Sequence, residues 1–114
     1  MIHPYVYAGL MGNRRLKTLD SNMVYDREVK ETSFIFNIEP KRLLSRKRKR
    51  YYVMGRQIIS YILRTHYDFT LVKIGKLMER DHSTIINGLN NHEMDYEHDE
   101  TYRLLCNKAI YELT

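Results

Sequence analysis

Two short helix-like segments, each with an apolar stripe and joined by a two-residue turn, constrain this chain most. Leu71, Ile74, Gly75 and Met78 recur at i, i+3, i+4 and i+7, one face of a short buried helix. Thr70 is a good N-cap for it, and His66-Tyr67-Asp68-Phe69 ahead of it reads as a turn. Glu79-Arg80 makes a tight turn, after which Asp81 caps a second helix with Ile85, Ile86 and Leu89 pointing inward. Gly75 costs the first helix about 1 kcal/mol relative to alanine, so a close helix crossing is its expected reason. Two short helices joined by so short a turn make a helix-turn-helix, an arrangement whose second helix presents its first residues to base edges.

The segment 51–65 has helical spacing too, with Tyr51, Gly55, Ile58, Ile59 and Ile62 marking its inward face. Arg56, Ser60 and Arg64 stand four apart on another face, stacked turn upon turn. Alone, such a stripe is an ordinary solvated face. Here it follows Ser45-Arg46-Lys47-Arg48-Lys49-Arg50, an unbroken run of five cations, and is expected to face phosphates. The run has no apolar residue, so it is either a solvated loop or the leading edge of the helix. Before it, Pro40 suits the first turn of a short helix over 40–44. Ser21 or Asn22 can cap a helix running to about Phe36, with Met23, Val29, Phe34 and Ile35 or Phe36 as its apolar positions.

Downstream, residues 92–100 contain Glu93, Asp95, Glu97, Asp99 and Glu100, an acidic patch expected to point away from any DNA. It reads as a solvated connection or, alternatively, as a docking surface for a protein partner. A final helix over about 102–113 offers Leu105, Cys106, Ala109, Ile110 and Leu113 for packing. Residues 1–20 show no periodicity, and form either a loose arm or a basic tail through Arg14, Arg15 and Lys17. Residues 21–114 are then one domain, as expected for a chain of 114 residues.

Charge and composition narrow the classes. The formal charge of +5 fits a polyanionic partner, and no stretch approaches the ~18 apolar residues of a membrane span. The first residues lack the basic leader and apolar run of a signal peptide, and Cys106 is a lone thiol in an apolar pattern. A cytoplasmic location is expected. Asp81, His82 and Ser83 cannot serve as a catalytic triad, because adjacent helical residues project about 100° apart. His82 and His92 lack metal-ligand spacing, and no Gly-x-x-x-x-Gly-Lys loop exists to cradle a nucleotide. No enzyme and no cofactor is expected. What remains suits duplex DNA: arginine can take a guanine edge, a carboxylate can accept from cytosine N4, threonine offers a methyl to thymine, and helix-start N–H groups suit a phosphate.

From about Ser21 onward the chain resembles the C-terminal DNA-binding domain of the bacterial replication initiator DnaA. The residues that carry the resemblance are Leu43-Leu44-Ser45 with the basic run, Arg56-Gln57, Ile74-Gly75 and, above all, Arg80-Asp81-His82-Ser83-Thr84-Ile85. The resemblance implies an all-α, Trp-repressor-like helical bundle around a helix-turn-helix, with the signature helix in the major groove of a DnaA box. By position it implies Arg48 as a minor-groove arginine. Asp81, His82, Ser83 and Thr84 become major-groove readers, and Arg50, Arg56 and Arg64 become phosphate contacts; Arg46, Lys47, Lys49 and Arg80 join the expected DNA-binding residues on their own charge and position.

The sequence departs from the family pattern at several of these places. Met78-Glu79 replaces a Gly-Gly or longer turn, Val72 and Gly55 replace prolines, and Asn90 and Asn91 stand where the family often has cations. Weaker phosphate anchoring and a drifted target sequence are therefore expected. The implied activity is binding to a DnaA-box-like duplex by a domain without the ATPase, as a regulator or competitor in replication or transcription encoded by a phage or mobile element. The alternatives are an interaction or structural module that kept the fold and lost base readout, and an RNA binder. The RNA reading is the weaker, since no aromatic residues interleave with the cations.

Overall fold

The computed structural model describes residues 20–111, which form six helices and no strand. In chain order they are α1 (Ser21–Phe36), α2 (Pro40–Leu43), α3 (Arg50–Thr65), α4 (Leu71–Met78), α5 (His82–His98) and α6 (Glu100–Tyr111). The all-α expectation holds, with a helix-turn-helix made by α4 and α5. The N-terminal arm and Leu113 lie outside the described residues.

Helix α3 is the axis of the molecule and packs on all five others. It has two buried faces. Ile59 and Leu63 join Val24, Tyr25, Val29, Leu43, Phe69, Ile74, Met78 and Ile85 in one core. Met54, Ile58 and Ile62 join Tyr102, Cys106, Ala109 and Ile110 in the other. Adjacent residues on a helix diverge by about 100°, so the pairs Ile58-Ile59 and Ile62-Leu63 each feed both cores. Tyr51, expected inward, is instead about half exposed and meets Phe36 edge-on at 6.4 Å. Cys106 is fully buried, and burial pushes its thiol up to about 12, so it stays protonated.

Local chemistry sets the helix ends. Asp20, rather than Ser21 or Asn22, caps α1, its Oδ1 accepting from the Asn22 N–H at 2.9 Å. The inward stripe of α1 is Val24, Tyr25, Glu28, Val29 and Thr32, whereas Met23 and Phe34 face outward, 66% and 82% exposed. The stripe is displaced because Glu28 and Thr32, polar by type, occupy inward positions. Tyr67 Oη donates to Glu28 Oε1 at 2.9 Å, which satisfies that buried carboxyl. Thr70 caps α4 as expected, its Oγ1 accepting from the Lys73 N–H at 3.1 Å.

Residues 92–100 are no separate connection. Helix α5 runs through His92 to His98, because the His92 ring is buried, stacked on Tyr61 at 3.8 Å and hydrogen-bonded through Nδ1 to Tyr102 Oη at 2.6 Å. Asp99 then breaks the helix and caps α6, accepting the Tyr102 N–H at 3.0 Å. Only part of the acidic patch stays free on the surface. Asp95 accepts from Gln57 Nε2 at 3.1 Å, and Arg50 reaches Asp99 at 2.6 Å and Asp95 at 3.6 Å.

Candidate nucleic-acid interface

The turn between α4 and α5 is built around a left-handed Glu79, at φ 56° and ψ 49°. The Glu79 N–H reaches the Lys76 carbonyl at 3.3 Å and the Arg80 N–H reaches the Gly75 carbonyl at 2.8 Å, the two bonds of a Schellman ending. Folding the chain back so sharply brings the Arg80 carbonyl over Gly75, where a Cβ would lie 2.6 Å from that oxygen. Gly75 therefore answers to the turn itself and not to a helix crossing.

Beyond the turn, Asp81, His82, Ser83 and Thr84 are all exposed at the start of α5. Asp81 occupies the N-cap position with extended backbone, but its carboxylate makes no capping hydrogen bond. The backbone oxygen of Asp81 takes the Thr84 and Ile85 N–H groups instead, at 3.0 and 3.2 Å. The carboxylate is thus left pointing into the open. Ile85 anchors the helix in the core, whereas Ile86, expected inward, is 37% exposed.

Two arginines fasten the basic loop beside this helix. Arg56 donates from Nη1 to the Leu43 and Ser45 carbonyls, at 2.9 and 2.8 Å, and from Nη2 to the Lys47 carbonyl at 2.8 Å. Arg80 donates from Nη1 to the Met78 and Glu79 carbonyls and from Nη2 to the Leu44 and Ser45 carbonyls, at 2.8 to 3.3 Å. A guanidinium offers hydrogens in a fixed planar fork, which lets one side chain bridge several carbonyls. Burial, and secondarily the neighbouring Arg80 charge, lowers the Arg56 pKa from its ordinary value. Arg46 adds a third tie, Nη2 to the Glu79 carbonyl at 3.1 Å. With the carbonyls of Leu43, Leu44, Ser45 and Lys47 drawn inward, the side chains of Lys47, Arg48 and Lys49 remain exposed.

The expected cations therefore fall into distinct groups. Arg46, Lys47, Arg48 and Lys49 lie on the loop next to α5, with Lys49 Nζ 5.7 Å above the Tyr52 ring. Arg50 opens α3 and is held by Asp95 and Asp99. Arg56 and Arg80 are part-buried and face carbonyls. Arg64 sits at the far end of α3, donating to the Phe69 carbonyl at 3.0 Å ahead of α4. The stripe of Arg56, Ser60 and Arg64 is not a single solvated face. Ser60 is buried, with its hydroxyl against the Arg56 carbonyl and Met78 Sδ.

Two clefts flank the start of α5. One, of about 480 Å³, is lined by Arg46, Val72, Lys76, Asp81, His82 and Thr84, among others. The second, of about 460 Å³, runs between the basic loop, α3 and α5, and its walls include Arg48, Thr84, Asn87, Gly88 and Asn91. Lys76, Asn87, Gly88 and Asn91 were not among the expected site residues. Helical spacing from Asp81 and Ser83 could have found Asn87, Gly88 and Asn91, whereas Lys76, on α4, carries no such signal. No group of His, Cys, Asp or Glu among the described residues could hold a metal ion, and none of the described helices is long and apolar enough to cross a membrane.

This geometry coincides with a family. The profile described as "Bacterial dnaA protein helix-turn-helix" matches residues 29–91, more than half of the chain. The chain belongs to the bacterial DnaA helix-turn-helix family. It is 33% identical over 86 residues to chromosomal replication initiator protein DnaA 1 of Chlamydia trachomatis, covering 75% of this chain and 19% of that protein. It is 32% identical over 97 residues to the DnaA of Herpetosiphon aurantiacus, covering 84% of this chain and 20% of the relative. With the DnaA of Oleidesulfovibrio alaskensis the identity is 40% over 60 residues, 53% of this chain and 13% of the relative. The chain thus spans about a fifth of the length of the curated relatives it matches most broadly. The part shared with DnaA is a DNA-binding helix-turn-helix, and double-stranded DNA is the partner it implies.

Proposed function

We propose that this chain binds a DnaA-box-like duplex sequence-specifically, with the start of α5 in the major groove and the basic loop over the adjacent minor groove. One observation carries the reading. Four exposed residues, Asp81, His82, Ser83 and Thr84, open a helix beside a cationic loop that Arg46, Arg56 and Arg80 fasten in place. Asp81 can accept from cytosine N4, and Ser83 and Thr84 can bond base edges or touch a thymine methyl. Arg48 is the candidate for the minor groove. Lys47, Lys49 and Arg64 contact phosphates, while Arg50, Arg56 and Arg80 contribute charge and hold the surface in shape.

Binding of a box-containing duplex against a scrambled one tests this, with Arg48→Ala and His82→Ala alongside. Preference for the box, lost at least tenfold in either variant, supports the reading. With ~4 to 6 phosphates neutralised, log K should fall with log salt at a slope of roughly −4 to −5. Equal affinity for both duplexes, unaltered in the variants, would refute it and leave a module that kept the fold without base readout. The regulatory part of the proposal is competition, since two proteins reading one box through the same helix cannot both occupy it. Displacement of a full-length initiator from its box by this chain is the expected result.

A further inference from the structure

The polar face of α5 continues beyond Thr84. Asn87 lies one turn past Ser83 and Asn91 one turn further, both exposed and both on the cleft that Arg46 and Arg48 line. Gly88 sits between them on the same wall. At Gly75 an added Cβ would collide with backbone, but at Gly88 it would meet only Gln57 Cγ, at an ordinary 3.8 Å. Internal packing therefore does not require this glycine, which weakens the helix that carries it. A missing side chain on an exposed cleft wall instead lets something outside the protein come close to the helix backbone.

The chemistry of the neighbours says what that is. A cation at these positions would serve phosphates, whereas an asparagine amide has one donor and one acceptor group. That pair matches the N6 donor and N7 acceptor of adenine in the major groove. We infer that Asn87 is a second base reader, taking an adenine in two hydrogen bonds, and that Gly88 lets α5 seat deeply enough for it to reach. Four residues advance a helix by about 6 Å, against ~3.4 Å per base pair. The adenine therefore lies about two base pairs from the one beside Ser83. This inference rests on the function proposed above.

Selection of bound duplexes from a random pool, run in parallel with the wild type and Asn87→Ala, tests it. Position 87 is exposed on a helix, and alanine there favours the helical state. The expected result is a wild-type motif containing a fixed adenine, with that adenine alone lost in Asn87→Ala and its preference reduced roughly 10- to 100-fold. An identical motif for both proteins overturns the inference and leaves the proposed function standing. A uniform loss of affinity without change of motif also overturns it, since that marks a phosphate contact. No motif for the wild type refutes the proposed function and this inference together.

Discussion

Glu79 and Gly75 hold the turn in opposite ways. Glu79 adopts a left-handed conformation that costs a side-chain-bearing residue about 1–2 kcal/mol, and its own side chain is exposed. Glu79→Gly should raise stability by about 0.5–1 kcal/mol, read as a higher urea midpoint at unchanged slope. It also removes an acid beside the proposed DNA surface, so duplex affinity should rise rather than fall. Gly75→Ala should do the reverse. Its Cβ meets the Arg80 backbone oxygen at 2.6 Å, which must move. A loss of about 1–3 kcal/mol is expected, together with weakened box preference, because the displaced residue carries the loop ties. An alanine variant as stable and as selective as the wild type would contradict this role. The cost of a glycine inside α4 was legible in the sequence. Its cause was not, because the contact comes from a turn whose handedness no spacing encodes.

At the level of elements, the apolar spacing of α3 and α4 predicted both helices to within a residue, since burial on fixed faces writes a period into the sequence. The stripe of α1 and the length of α5 were hidden by polar residues that are inward: Glu28, Thr32 and His92 are all buried, Glu28 bonded to Tyr67 and His92 to Tyr102, and so they break the apolar pattern. The arginine ties were hidden for a different reason. A guanidinium that bridges carbonyls 9 to 36 residues away leaves no periodic trace, so Arg56 and Arg80 look like any surface cation. Arg80→Lys separates charge from geometry here. Lysine keeps the positive charge but cannot bridge two pairs of carbonyls. The expected outcome is faster amide exchange over 44–49 and box affinity about tenfold lower. Unchanged exchange would show that the loop needs no such tie.

Across the whole molecule, two buried titratable groups, Glu28 on α1 and His92 on α5, pull stability in opposite directions with pH. Burial pushes Glu28 up to about 7, only partly offset by the hydrogen bond from Tyr67. Below its ordinary value near 4.5 this carboxyl is protonated both folded and unfolded, so folding gains its full benefit. As pH rises through 4.5 toward 7 the unfolded chain ionises first, and stability falls. Burial holds His92 down at about 4, with Asp95 opposing weakly. Its neutral ring favours the fold above the ordinary 6.5, and that contribution is lost as pH falls toward 4. Each effect is worth about 3 kcal/mol at most, at 1.36 kcal/mol per unit. Between about 4.5 and 6.5 they oppose one another, and wild-type stability should change little. Glu28→Gln keeps an acceptor for Tyr67 and removes one arm of the balance. It should match the wild type near pH 4, exceed it by about 2–3 kcal/mol at pH 8, and lose stability steeply on acidification below 6.5. His92→Gln should show the converse, losing stability from pH 4.5 to 7 without the acid loss. Urea unfolding of the three proteins at pH 4, 6 and 8 decides the matter. A gap between Glu28→Gln and wild type that is the same at every pH would mean that Glu28 ionises in the fold much as it does in water.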